Sequence, residues 1–208
     1  MAKSAIKTKL YDRNVFINCP FDKEYIPFLK IILFTILRLG LLPRLALERS
    51  NVAEGRFKKI VELIEESKYG IHDLSRLQAK KKKEYYRLNM PFELGYDFAC
   101  RAYLKGRSGK KILILETEKY SIHRALSDLL FVDPRCHRGD ERELVYTLRD
   151  WFNENGHRVK DSGGQVWDDY NIFYTYLFEK KQKEGWKQED LKRITVKDYM
   201  LEVQNYLG

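Results

Sequence analysis

Short apolar runs alternate with longer stretches of helical period along most of this chain. The run NVFINC, residues 14–19, predicts a first strand ending at Pro20, a residue that cannot continue a central ladder. From Lys23 to Leu39 apolar residues fall on nearly every side, which predicts a helix wedged between a sheet and another element, ended by Gly40 and Pro43. PRLALE, residues 43–48, predicts a second strand. After the turn-forming SNVAEG, the segment Arg56 to Lys68 predicts a helix with Phe57, Ile60, Val61 and Ile64 on one face. YGIHDL predicts a third strand, followed by a polar, lysine-rich loop to Asn89 that is long for a compact domain. A helix opens at Pro91, with Gly95, Ala99 and Ala102 as a small-residue face toward the sheet. KKILILE is the strongest strand signal. A helix from Ile122 to Leu130, a short strand at Arg135 to Arg138 and an amphipathic helix from Glu141 to Asn155, closed by Gly156, complete the series.

Strict alternation of strand and helix implies right-handed crossovers and a parallel sheet. The expected fold is α/β: a flavodoxin- or Rossmann-like five-stranded sheet in the order 2-1-3-4-5, with flanking helices and a C-terminal helical appendage. The first domain is expected over residues 1–156, its body running from Asn14 to Gly156, and the aromatic-rich appendage over 157–208. In the appendage Trp167, Tyr170, Phe173, Tyr174, Leu177 and Phe178 form one apolar stripe that must bury against something. Packing on the main domain and association into a homo-oligomer both satisfy that need.

Composition narrows the class. At 208 residues, 44% hydrophobic and 33% charged, the chain can bury one good core. Cys19, Cys100 and Cys136 are odd in number and widely spaced, so neither a disulfide framework nor a cysteine zinc site is expected. MAKSAIKTKLYDR lacks the apolar core of a secretory signal, and IILFTIL is too short to span a bilayer; a cytoplasmic protein without membrane partners is expected. The formal net charge of +9 owes much to Lys80 to Lys83. A solvated face is the plain reading of that run. KKKKEYYR, with Tyr85 and Tyr86 free to stack on bases, leaves nucleic-acid binding open.

In an open α/β sheet ligands bind beyond the carboxyl ends of the strands, where strand order reverses. Here the loops at that point are Asn18 to Asp22 and His72 to Arg76, and the helix opening at Pro91 begins nearby. Glu93 is expected in the first turn of that helix, where a carboxylate also complements the helix dipole or closes a capping box. Asp73 and Asp22 have similar plain roles as loop and cap residues. The expected pocket gathers Asn18, Pro20, Phe21, Asp22, Arg56, Asp73, Ser75, Asn89 and Tyr96 around Glu93. No glycine-rich phosphate loop is present, and His72, His123, His137 and His157 lack zinc-ligand spacing, so no metal is expected. No G-x-S-x-G nucleophile motif occurs.

The segments VFINCPFD, EGRFKKIVELIEESKYGIHDLSR, NMPFELGYDFA and SDLLFVDPRCHRGD together resemble the TIR-like and nucleoside 2-deoxyribosyltransferase-like proteins of bacteria, over about Asn14 to Trp151. The resemblance implies that Glu93 acts at the anomeric carbon of a ribosyl group, as nucleophile or as stabiliser of an oxocarbenium ion. It implies NAD or a related nucleotide as substrate, no further cofactor, oligomerisation through the C-terminal helices, and a setting in antiphage defence. Pro91 and Phe92 stand where the deoxyribosyltransferase pattern has a small residue and a threonine, which favours hydrolysis over transfer between bases. Phe21 and Tyr96 would stack on a base and Arg56 or Arg76 would pair with phosphate. A nucleotide-sensing module without turnover is the alternative on the same scaffold.

Overall fold

The structure, a computed structural model, describes residues 10–48, 55–77 and 87–208. The turn at Ser50 to Glu54 and the whole of KKKKEYYR except Arg87, with Lys80 to Lys83, Tyr85 and Tyr86, lie outside the described residues.

Five parallel strands form one sheet in the order β2-β1-β3-β4-β5. β1 (Asn14–Asn18) and β3 (Tyr69–Asp73) are buried at every position, as strands covered on both faces must be. α1 (Ile26–Arg38) follows β1 and buries eight of its thirteen residues, because the sheet covers one side and the later helices the other. β2 is shorter than PRLALE predicts: it spans Leu42–Arg44, and Ala46–Glu48 turn into a 3-10 helix. Ala, Leu and Glu favour helical dihedrals, and Pro43 is tolerated because β2 is an edge strand.

α2 (Arg56–Glu65) buries Ile60, Leu63 and Ile64, whereas Phe57, expected on the same face, is 53% exposed. α3 (Asn89–Tyr103) starts two residues ahead of Pro91, which sits in the first turn where no intrahelical donor is needed. Two expectations for α3 are corrected. Gly95, Ala99 and Ala102 face solvent, and the inward side is Met90, Glu93, Leu94, Asp97 and Cys100. Glu93 is the fifth helical residue rather than a first-turn residue, so neither capping nor the helix terminus accounts for it.

β4 (Lys111–Glu116) and β5 (Arg135–Cys136) complete the sheet. Between them the expected single helix is broken into α4 (Ser121–Ala125) and a 3-10 turn at Ser127–Leu129. Leu126 leaves helical geometry just ahead of Ser127 and Asp128, residues whose side chains compete for backbone hydrogen bonds. α5 (Glu141–Glu154) is capped by Asp140, whose carboxylate accepts from Glu143 N at 2.8 Å.

The remaining helices are α6 (Gly163–Lys183), opened by a Ser162/Gln165 capping box, α7 (Gln188–Lys192) and α8 (Val196–Leu207). Val166, Tyr170, Phe173, Leu177, Tyr199 and Val203 join the core formed by α1 and the sheet. The ring of Phe173 stacks on Phe34 of α1 at 5.3 Å, and Arg38 pairs with Asp161 and Asp169. The aromatic stripe therefore packs within the main core, against α1, α5 and α8, leaving Tyr174 53% exposed. Among the described residues no helix is long and apolar enough to cross a membrane.

Candidate functional site

Reversal of strand order between β1 and β3 opens a cleft of about 350 Å³ at the carboxyl end of β1, bounded by α2 and the start of α3. Of the residues expected there, Asn18, Phe21, Asp22, Arg56, Asn89 and Glu93 line it. Pro20, Asp73, Ser75, Arg76 and Tyr96 do not. Glu93 is 7% exposed, and Asn89, one turn earlier on the same helix, donates from Nδ2 to Oε1 at 3.3 Å. Burial pushes the Glu93 carboxyl above its ordinary range; the Asn89 bond and the nearby Arg56 guanidinium oppose that shift without cancelling it.

Behind Glu93 runs a buried polar chain. Asn18 Nδ2 donates to Met90 O at 3.0 Å and to His72 Nδ1 at 3.1 Å. Because the Met90 carbonyl can only accept, the Asn18 amide is fixed with its NH₂ toward both partners. His72 Nδ1 is then the acceptor, and the ring proton sits on Nε2, which donates to Asp97 Oδ2 at 3.1 Å. Lys110 Nζ lies 3.0 Å from Asp97 Oδ1 and donates to the carbonyls of Ile64, at 2.7 Å, and Ser67. Burial lowers the Lys110 pKa, with Asp97 acting against it. The chain ends on the carbonyl in the first turn of the helix that carries Glu93, so it fixes where that helix starts.

Asp73 belongs to a second buried cluster. Its Oδ1 accepts from Ser75 N at 2.9 Å and from Ser75 Oγ, and its Oδ2 accepts from Tyr25 Oη and from His137 Nε2 at 3.3 Å. Burial raises the Asp73 pKa, but the bonds from His137, Ser75 and Tyr25 outweigh it and hold the carboxyl below its usual value. Ser75 Oγ and Asp73 both meet His137 at Nε2, while Nδ1 accepts from Gly139 N at 3.3 Å. A nucleophilic triad needs its serine and its acid on opposite ring nitrogens, so this cluster is not one.

Asp22 is held by Arg76 at 2.7 Å and by Arg87, and accepts from Glu24 N and Tyr25 N at 3.1 Å each. Burial raises its pKa, and the two arginines and these amides bring it below the ordinary value. It caps the turn leading into α1 rather than α1 itself, whose N-cap is Tyr25. Tyr96 packs against the side of Phe57 and donates from Oη to Glu65. Among the described residues no three His, Cys, Asp or Glu side chains are grouped to hold a metal ion.

Sequence reasoning did not find His72, Asp97 and Lys110. A signal was available: Glu93 and Asp97 are four apart, which puts two carboxylates on one side of α3. No family model matches this chain, nor does any curated protein or solved structure.

Proposed function

We propose that the chain is an N-glycosidase that cleaves the bond between ribose and base in NAD or a related nucleotide, with Glu93 as its catalytic carboxylate. The observation that carries this reading is the state of Glu93: a carboxylate buried at the switch point of an α/β sheet, with its charged form disfavoured by burial. Such a group gains most when positive charge develops beside it. Departure of the base leaves cationic character on C1′, and a fixed carboxylate in a desolvated cleft lowers that barrier, as in glycoside hydrolysis.

The bond balance is simple. The C1′–N bond breaks with its electron pair going to the base, and water supplies the new C1′–O bond while losing a proton. Nicotinamide is cationic in NAD and leaves neutral, so the reaction needs no general acid to protonate it. Asn89 orients the carboxylate at 3.3 Å, and Arg56, at the start of α2, lines the cleft as a cation for phosphate. NMPFELG resembles the TIR-like and nucleoside 2-deoxyribosyltransferase-like proteins, and that resemblance implies the same residue.

The test is product analysis by chromatography after incubating the protein, over a range of concentrations, with NAD and a panel of nucleosides and nucleotides. Release of nicotinamide or free base, reduced by about 10²-fold or more in Glu93→Gln, is the expected result. Folded protein that releases nothing at any concentration would end the proposal.

A further inference from the structure

A second cavity, remote in composition from the Glu93 cleft, lies where the first turns of α1 and α5 meet α6 and α7. Its volume is about 900 Å³, at the upper end of what small-molecule sites occupy. Three independent features of its lining point to the same kind of ligand.

The first is a tyrosine hydroxyl. Tyr170 is 6% exposed and lines the cavity, and its Oη makes no hydrogen bond to the described residues while remaining open to solvent, so it can donate to a ligand that enters. The ring of Tyr174, also in the lining, lies 6.3 Å from that of Tyr170 with the planes 40° apart, so aromatic surface adjoins the free hydroxyl.

The second feature is Lys30. Its ammonium donates to Leu191 O at 3.2 Å and stands 5.5 Å from the ring centre of Tyr199. An ammonium has three protons, so donors remain. Burial depresses its pKa with no carboxylate acting to restore it.

The third is the charge around the rim. Lys23, Lys192 and Arg193 are exposed and make no ion pair among the described residues. Against these four cations, Lys30 included, stand two carboxylates, Glu141 and Glu189. Burial and the neighbouring Asp140 raise the Glu141 pKa above its ordinary value. Excess positive charge over an aromatic floor selects an anion carrying a ring.

We propose that this cavity binds an aromatic phosphate of about mononucleotide size, its ring against Tyr170 and Tyr174 and its phosphate taken by Lys30, Lys192, Arg193 and the Tyr170 hydroxyl. The proposal is independent of the chemistry at Glu93. A probe without an N-glycosidic bond keeps the two apart.

Calorimetric titration of the whole chain with 1-naphthyl phosphate, and with 1-naphthol as its uncharged counterpart, tests the site. The phosphate is expected to bind between about 10 μM and 1 mM, and the naphthol about 10-fold or more weaker. Tyr174→Ala and the double change Lys192→Ser/Arg193→Ser, all at exposed positions, should each weaken the phosphate about 10-fold. Arg56→Ser, in the other cleft, should leave it unchanged. Several results would overturn the proposal: no binding to folded protein, binding that survives both cavity variants, or binding lost in Arg56→Ser. An oligothymidylate bound more tightly than the phosphate and lost in the same variants would replace it with a nucleic-acid strand. Self-association of the chain abolished by Tyr174→Ala would replace it with a contact between copies.

Discussion

Asp97 fills the space that a side chain at Gly70 would need: a Cβ built on Gly70 falls 2.0 Å from Asp97 Oδ2 and 3.2 Å from His72 Nε2. Asp97 has nowhere to retreat, since His72 bonds one of its oxygens, Lys110 Nζ stands 3.0 Å from the other, and all three side chains are buried. Gly70→Ala should therefore cost about 3 kcal/mol, at the upper end for overpacking, and lower Tm by several degrees. An alanine variant that melts with the parent protein would mean that the buried chain does not hold α3 against β3.

Glu93 yields a prediction with opposite signs for stability and activity. Its folded pKa is raised, so its contribution to stability is complete below the ordinary 4.5 and is lost as pH rises through the folded value. Glu93→Gln keeps the shape and removes the charge. At neutral pH it should be more stable than the parent by about 1 kcal/mol, an advantage that vanishes below pH 4.5. If Glu93 is the catalytic carboxylate proposed above, the parent's activity should fall on acidification with a midpoint above 4.5. Thermal melts of the two proteins at neutral and acidic pH decide the first part; destabilisation by the substitution at pH 7 would make Glu93 a structural residue.

Asp73 behaves in the reverse sense. Its folded pKa is depressed, so the stability it gives is present above the ordinary 3.8 and is lost as pH falls through the lower folded value. Asp73→Asn leaves His137, Ser75 and Tyr25 facing an amide in a fully buried cluster and should cost about 3 kcal/mol. Urea denaturation at neutral pH measures this. A loss below about 1 kcal/mol would show that the cluster does not depend on the charge.

Much of this fold was legible because its signals are long. Parallel pairing follows from strand-helix alternation, the order 2-1-3-4-5 is that of the flavodoxin-like arrangement expected for it, and α1 announces itself through apolar residues on nearly all sides. Errors gathered where a short segment carries two meanings: Ala46–Glu48 has helical propensity beside an edge strand, and Leu126 breaks a helix whose period looks continuous. The small residues of α3 suggested close packing, yet the close approach is made by Gly70 on the strand, with the helix contributing Asp97. In the cleft, Glu93, Asn89 and Arg56 were found because loops at a sheet switch point converge by topology. Asp73 lies on the same strand end but turns into its own cluster. Periodicity gives a residue's place along an element, and it does not tell which of two buried histidines will claim a given aspartate.

Apolar burial does not explain the aromatic pair Phe57 and Phe92. Phe57 and Phe92 are 53% and 61% exposed, and their rings lie 5.6 Å apart at 44°. Each adjoins a cleft residue in sequence, Phe57 next to Arg56 and Phe92 next to Glu93. Exposed side chains contribute little to folding, so Phe57→Ala and Phe92→Ala should each change stability by no more than about 0.5 kcal/mol. Neither ring lines the cleft itself, so only a base that projects out of its mouth past Arg56 and Glu93 would meet them, and stacking on an aromatic side chain is worth about 1–3 kcal/mol per base. If the proposed reaction holds and the base stacks there, either substitution should raise KM for the nucleotide about 10-fold while leaving kcat within about 2-fold, since neither ring lines the cleft that holds Glu93. Steady-state kinetics at varied substrate separates the two parameters. Unchanged KM in both variants would place the base elsewhere in the cleft, against Phe21.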